Sequence, residues 1–360
     1  MLRKTANAPL DQLNTLGFAA KASWLVKAEQ PNELPEIFDF ALSQQLPVFP
    51  LGGGSNVIFQ GDLKAVVLQQ QAQTLNWPEN RVSELLPNEF LLRVPAGYSW
   101  QKLVIDTTSK GYFGLENLAL IPGQAGAAPI QNIGAYGVEL ADSLQAVEGY
   151  WLPEKSQPAK FAIIDAKDCA LGYRDSRFKQ DWKGRFVITA LQLQLSKQAD
   201  PRLNYADLKA RLAIKLDLAT KKQQPEFLNQ PLPRLIAEVV SELRRSKLPD
   251  PAKLANAGSF FKNPVITKQQ AEELLTLFPK MPHYPATNGC KLAAAWLIEQ
   301  CGFKGAKRGS VGVHEQQALV LVHNGGGTAQ DLLALAEEIT TAVKTRFNVQ
   351  LEREPELVNL

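Results

Sequence analysis

The sequence is poor in side chains that bind metals or staple chains together. Histidine occurs three times, as His283, His314 and His323, and cysteine three times, as Cys169, Cys290 and Cys301, with no CxxC pair. A zinc site needs such ligands at close spacing, so no metal is expected. An odd, sparse cysteine count suits a reducing compartment better than a disulfide framework, and all three thiols read as core filler. Long apolar runs are absent too. Nothing approaches the roughly 18 uninterrupted apolar residues of a membrane helix, and the amino terminus MLRKTANAPLDQLNTLGF lacks the apolar stretch and cleavage site of a signal peptide. Neither sign of charge dominates: 39 Lys and Arg against 36 Asp and Glu leave +3, too little to steer a nucleic acid. The expectation is a cytoplasmic protein with neither nucleic-acid nor membrane partners.

The 360 residues, 45% hydrophobic and 21% charged, suffice for two or three domains with unstapled cores. Leu34, Ile37, Phe38, Ala41 and Leu42 have the spacing of a one-sided helix over 32–45, with Asn32 as N-cap. Pro47 to Leu51 and Val57 to Phe59 read as strands flanking a glycine turn. Phe90 to Val94 and Phe186 to Leu195 are β-rich, and Ser99 to Lys110 reads as a capped helix closed by Gly111. Gln223 to Pro233 is a Gln- and Pro-rich connection, a helix from Leu235 to Arg245 follows, and a new unit is expected near 246. Within it, Thr267 heads a capping box for a helix to Phe278. Lys291 to Cys301 reads as a second helix, Gln317 to Val322 as a strand, and Thr328 as the cap of a helix to Arg346, with Val349 to Glu354 the closing strand. The class is α+β.

Two segments invite chemistry. In Gly52-Gly53-Gly54-Ser55-Asn56 three glycines remove every side chain that would hold a ligand off the main chain. Backbone N–H groups can then line a nest for a pyrophosphate, with Ser55 and Asn56 as further donors; a tight hairpin is the plainer alternative. No P-loop lysine or GxGxxG spacing follows, so the Walker and Rossmann readings fail. The second segment, Ile121 to Gly137, repeats the device at length. Gly123, Gly126, Ala127, Gly134 and Ala135 leave room for something large and flat, and Gln131, Asn132 and Tyr136 supply polar groups. Close packing of elements explains the alanines but not that clustering. Two such cradles suggest a dinucleotide held extended between two lobes, with flavin favoured.

The strings LGGGSN, IPGQAGAAPIQNIGAYGVE, GYRDSRF, KLPDP with NAGSFFKNP, and KLAAAWLIEQCG with HEQQALVLV occur in this order from Pro47 to the carboxyl end. Together they resemble the successive signatures of the bacterial UDP-N-acetylenolpyruvoylglucosamine reductases (UDP-N-acetylmuramate dehydrogenases), of the type with a tyrosine-bearing loop insertion. That resemblance implies a two-lobed FAD-binding fold of the kind shared with vanillyl-alcohol oxidase, plus a third α+β domain over the substrate. Lobe 1 is expected over 1–75 with the terminal strand 349–360 returning near it, lobe 2 over 76–235, and the substrate domain over 246–348. It further implies a monomeric flavoprotein oxidoreductase using FAD and NADPH. The small-molecule substrate would be UDP-N-acetylglucosamine enolpyruvate, a peptidoglycan precursor, which places the enzyme in cell-wall biogenesis, cell shape and division.

By the same resemblance, Tyr173 and Arg174 match the pair beside the enolpyruvyl group, a guanidinium fork being suited to a carboxylate. On residue type alone Arg174 equally suits an ion pair with Asp175. Ser259 matches the proton donor, a role that needs a basic acceptor and a dry site; without the family it reads as a turn serine. Glu354 matches the active-site carboxylate, with Glu352 and Glu356 competing, and Arg353 stands where the family commonly has proline. Lys247 matches a diphosphate contact, Tyr205 the loop tyrosine closing over it, and Asn263 and Gln317 further substrate contacts. Gln124-Ala125 departs from the small hydroxyl residue and valine usual after Pro-Gly. The implied reaction gives C3 of the enolpyruvyl group a hydride from flavin N5 and C2 a proton from Ser259. A flavoprotein oxidase on the same scaffold, or a non-catalytic nucleotide-sugar or flavin-binding module, would keep the glycine cradles without needing Arg174, Ser259 and Glu354.

Overall fold

In the computed structural model, which describes residues 2–71, 74–77, 88–154, 157–286 and 289–360, the apolar stripe Leu34, Ile37, Phe38 and Ala41 forms the buried face of the helix Leu34–Ser43. Asn32 does not cap it. It lies in the 3-10 turn Pro31–Glu33, and the helix starts without a side-chain cap but with a proline in its first turn, where no N–H partner is needed. The stripe packs with Val26, Ala28, Val66 and Leu68 of a sheet ordered Arg3–Pro9, Lys21–Ala28, Leu63–Gln70, Val48–Pro50.

A second, antiparallel sheet runs Lys160–Asp165, Leu144–Trp151, Phe186–Ser196, Glu89–Pro95. Its long strand is buried on both faces in its first half because Val187 joins the core under the helix Leu34–Ser43 while Phe186 and Ile188 join a larger core with Leu191, Leu193 and Leu195. The helix Trp100–Ser109 is capped by Ser99, whose Oγ accepts from Lys102 N, and Gly111 closes it at φ +80°.

The described residues divide into two compact units, one comprising Met1–Asn7, Ser23–Gly53 and Lys64–Arg244, the other Ala8–Ala22, Gly54–Leu63 and Arg245–Leu360. The division between the units falls between Arg244 and Arg245, inside the helix Leu232–Lys247. Residues 1–75 are shared between the units. Leu16, Phe18 and Ile58 belong to the core of the second, where Asn256 N donates to Thr15 O at 3.1 Å and His323 Nδ1 lies 2.8 Å from Leu16 O. These short excursions have too few apolar residues to build a core of their own, so they borrow one.

The second unit has a sheet ordered Ala255–Ser259, Val320–His323, Val311–Val313, Lys307–Arg308 and a smaller one of Val265–Ile266, Gly289–Leu292 and His283–Ala286. The expected capping boxes close at both Thr267 and Thr328, on the helices Lys268–Leu277 and Ala329–Phe347. Three expectations need correction. Lys291 to Cys301 is not one helix: Gly289–Leu292 is the central strand of the smaller sheet, with Cys290 and Leu292 buried at period two, and the helix is Ala294–Gln300. Gln317 begins a turn, Val320 N donating to its oxygen at 3.0 Å, so the strand is Val320–His323. Val349 to Glu354 pairs only irregularly, through an Arg353 to Phe261 bridge. The regular terminal strand is Glu356–Val358, parallel to Val57–Phe59. Val48–Pro50 and Val57–Phe59 lie in different sheets, so the glycine turn joining them is not a hairpin.

Candidate active site

In the first unit the glycine segments meet main chain to main chain. A Cβ on Gly53 would lie 2.9 Å from Cα of Gly123, and one on Gly126 would lie 2.6 Å from Cβ of Ala96. Close packing therefore accounts for the missing side chains at 53 and 126. What stays open is the exposed main chain of Gly53 and the exposed Ala127, with Gly52 and Gly123 half-buried around them. Gly123 sits at φ +116°, which side-chain-bearing residues rarely adopt. Gln124 turns toward the neighbouring strand, its Nε2 3.5 Å from Gln70 O.

Gly172 and Asp175 exchange main-chain hydrogen bonds of 3.0 and 3.2 Å, which makes Tyr173 and Arg174 the two tip residues of a tight turn, Arg174 at φ +55°. The guanidinium folds back on the segment 132–139. Its Nη2 donates to Gly134 O at 2.7 Å and Nη1 to Asn132 O at 3.4 Å, Glu139 Oε1 lies 3.9 Å away, and the Tyr173 ring centroid lies 5.3 Å from Cζ. The carboxylate facing Arg174 is Glu139; Asp175 accepts instead from Gln180 Nε2 and from Ser176 N. Gly134 has no side chain because one would press on this arrangement: its Cβ would lie 3.0 Å from Arg174 Nη1.

Asn132 is fully buried. Its Nδ2 donates to Glu139 Oε2 at 2.8 Å and Gly172 O at 3.0 Å, while Oδ1 accepts from Ala141 N at 3.0 Å. The side chain is thus committed to protein partners, which leaves any cofactor contact to its main chain. Gln131 and Ala135 lie half-buried on the same segment. Tyr136, at φ +50°, meets the exposed Tyr205 edge to face, centroids 5.4 Å apart. Glu139 escaped the sequence reading; the signal for it was the Glu139-x-x-Asp142 spacing of a capping box on Leu140–Asp142.

The second unit holds the rest. Ser259 ends the strand Ala255–Ser259 just after Gly258 at φ +70°, where the pairing with Val320–His323 is irregular. Buried Asn256 shapes this bulge, its Oδ1 accepting from Gly258 N at 2.8 Å. Ser259 is half-buried, and its hydroxyl has no hydrogen-bond partner among the described residues. Glu354 N donates to Phe260 O at 2.9 Å, next to Ser259, and the Asn56 side chain donates through Nδ2 to Glu354 O at 3.4 Å. Of the competing carboxylates, Glu352 is 71% exposed and paired with Lys262 at 3.1 Å, and Glu356 belongs to the terminal strand. Asn263 Oδ1 accepts from Ala294 N at 2.9 Å, supplying from outside the cap that the helix Ala294–Gln300 lacks. Gln317 Oε1 accepts from Leu319 N at 3.3 Å, and Lys247 is the exposed last residue of its helix.

Burial pushes the Cys169 thiol up to about 12, which makes it a packing group rather than a nucleophile. Among the described residues no helix is long and apolar enough to cross a membrane, and no group of three or more His, Cys, Asp and Glu is gathered as a metal site.

Residues 22–150 match the model of an FAD binding domain. With glycine loops opening main chain to solvent, the protein is of the flavin-dependent oxidoreductase class. Residues 250–358 match the model of the UDP-N-acetylenolpyruvoylglucosamine reductase C-terminal domain. Proteins named UDP-N-acetylenolpyruvoylglucosamine reductase from Chromobacterium violaceum and Cupriavidus pinatubonensis are 40% and 43% identical to this chain. The alignments span 98% and 96% of it, and 98% and 97% of the relatives. The crystal structure of the UDP-N-acetylenolpyruvylglucosamine reductase from Thermus caldophilus has the same fold, with a TM-score of 0.63 over 100% of this chain and 99% of its own at 22% identity. The chain belongs to the UDP-N-acetylenolpyruvoylglucosamine reductase family.

Proposed function

We propose that this reductase converts UDP-N-acetylglucosamine enolpyruvate to UDP-N-acetylmuramate with NADPH as reductant, acting in the cytoplasm on a peptidoglycan precursor. The residues present fit FAD: Gly53 and Ala127 are exposed, with Gly52 and Gly123 half-buried around them, so main chain is open to a ligand there, and Ser55 and Asn56 continue the turn. When bound, FAD supplies the two-electron chemistry, accepting hydride from NADPH and passing it to C3 of the enolpyruvyl group.

Everything else falls to this chain. The Arg174 guanidinium binds the substrate carboxylate and holds the negative charge that spreads into it as C2 becomes electron-rich. Ser259 gives its hydroxyl proton to C2. Glu354 assists the protonation at C2 or stabilises the intermediate together with Arg174. Lys247, Tyr205, Asn263 and Gln317 hold the nucleotide-sugar, with 246–348 as the substrate domain.

The observation that carries this reading is the Ser259 hydroxyl, without a hydrogen-bond partner among the described residues, at a glycine-shaped bulge where Glu354 N is tied to the adjoining Phe260 O. The test is anaerobic: a yellow protein should bleach with NADPH and recover its colour on adding the enolpyruvyl nucleotide, with UDP-N-acetylmuramate as product. Recovery with oxygen alone, and none with the nucleotide, would overturn it.

A further inference from the structure

Asn117 lies in the short turn Glu116–Leu118 and is 1% exposed. Its Nδ2 donates twice, to Tyr136 O and to Arg202 O, each at 2.9 Å. Two carbonyls on one side leave no freedom in the amide's orientation, since an oxygen turned toward them would be repelled. The cost shows at the other end: Oδ1 is buried and receives no hydrogen bond among the described residues. An orphaned acceptor is tolerated here because the two donors close a clasp between segments far apart in sequence.

Each segment carries a tyrosine. Tyr136 is held at φ +50°, a conformation that persists in a residue with a side chain only where the surroundings impose it. Arg202 stands three residues before Tyr205 and is fixed at a second point, its Nη1 2.8 Å from Asp142 Oδ1. Beyond the clasp the two rings meet edge to face, 5.4 Å apart.

We infer that Asn117 is a positioning residue for substrate binding: by bonding the carbonyls of Tyr136 and Arg202 it sets the resting place of Tyr205 against Tyr136. This rests on the reading that Tyr205 contacts the nucleotide-sugar. Asn117 touches neither cofactor nor substrate and acts through the loop that Arg202 leads into. Losing the clasp frees that loop and weakens substrate binding, and leaves the reacting groups in place.

The test compares the flavin-loaded parent with Asn117→Asp, which keeps the shape but presents oxygen to both carbonyls, and with the milder Arg202→Gln, which removes only the second anchor. Asn117→Asp should raise KM for the enolpyruvyl nucleotide by about tenfold with kcat close to the parent's, the pattern of a lost binding contact. Arg202→Gln should move KM the same way by less. Trypsin should cut the Asn117→Asp protein after Arg202 several-fold faster than the parent, a readout that needs no turnover. Parental KM and parental cleavage in Asn117→Asp overturn the inference. So does an Asn117→Asp protein that loses flavin and melts early while Arg202→Gln keeps the parental KM, because Asn117 is then needed only for folding. A parent that does not turn over the enolpyruvyl nucleotide sinks the functional reading instead.

Discussion

Arg174 Nη2 donates to Gly134 O at 2.7 Å across a position where any side chain would crowd the guanidinium. The glycine and the arginine are far apart in sequence, yet each explains the other. Arg174 at a turn tip would sweep solvent if nothing held it, and side-chain entropy would oppose any one placement. Gly134 O, Asn132 O and Glu139 together select one.

Gly134→Ala tests that dependence. The new methyl carbon would lie 3.0 Å from Arg174 Nη1, from Glu139 Cγ and from the main-chain Val138 O, and the main-chain oxygen is the neighbour least able to yield. Thermal unfolding should show a loss of about 1–3 kcal/mol, with a raised KM for the enolpyruvyl nucleotide as the guanidinium shifts. Unchanged stability and KM would show that Arg174 is not seated as described.

Arg174→Lys keeps the charge and removes the fork. A lysine ammonium cannot reach Gly134 O and meet a carboxylate bidentately at once. Stopped-flow absorbance at the flavin band should show reduction by NADPH near the parental rate and reoxidation by the enolpyruvyl nucleotide slowed on the order of 10²-fold. Equal slowing of both halves would remove Arg174 from the carboxylate site.

Local signals in the sequence were legible where one residue decides one bond. Ser99, Thr267 and Thr328 cap the helices assigned to them, because a cap needs only a neighbour three residues on. Lys291 to Cys301 misled because Leu292, Ala294, Leu297 and Ile298 fit a helical stripe, whereas the strand Gly289–Leu292 is fixed by partners on both sides that lie elsewhere in the chain. The candidate site divides the same way. Its glycines were visible, but Gly53 and Gly126 serve packing against Gly123 and Ala96, and only the folded chain reveals which glycine faces solvent. Asn117 could not be found by residue type, since it acts on main-chain carbonyls brought to it from elsewhere in the chain, whereas the signal for Glu139 was only its capping-box spacing with Asp142.

Ser259→Ala probes the other half of the chemistry. The hydroxyl makes no hydrogen bond to the described protein, so its removal should leave the melting temperature near the parental value. Flavin reduction should also survive. The step that consumes a proton at C2 should slow by roughly 10²–10⁴-fold, the usual contribution of a positioned acid. A reoxidation rate equal to the parent's would transfer the proton donation elsewhere, with Glu354 the next residue to replace.

Glu116 provides a pH signature of the fold itself. Its side chain is 4% exposed, and burial pushes the carboxyl above the ordinary carboxylate range, partly offset by main-chain N–H groups including Gly114 N, which donates to Oε2 at 2.7 Å. Below the unfolded value of about 4.3 both states carry the proton and the group does not bias folding. Above it the unfolded chain releases the proton first, so the native state binds more protons and stability falls as pH rises toward the native value, with a slope from this one group of at most about 1.4 kcal/mol per pH unit. Asp181, held low by its hydrogen bonds from Arg177, and Asp331, held low by the Thr328 N–H and hydroxyl, act in the opposite sense and only at more acid pH, so they do not mask this window. Glu116→Gln keeps an acceptor for Gly114 N and cannot ionise. Denaturant unfolding from pH 4 upward should therefore show the variant gaining on the parent as pH rises, and parallel curves for the two proteins would mean that Glu116 keeps an ordinary carboxyl in the folded state.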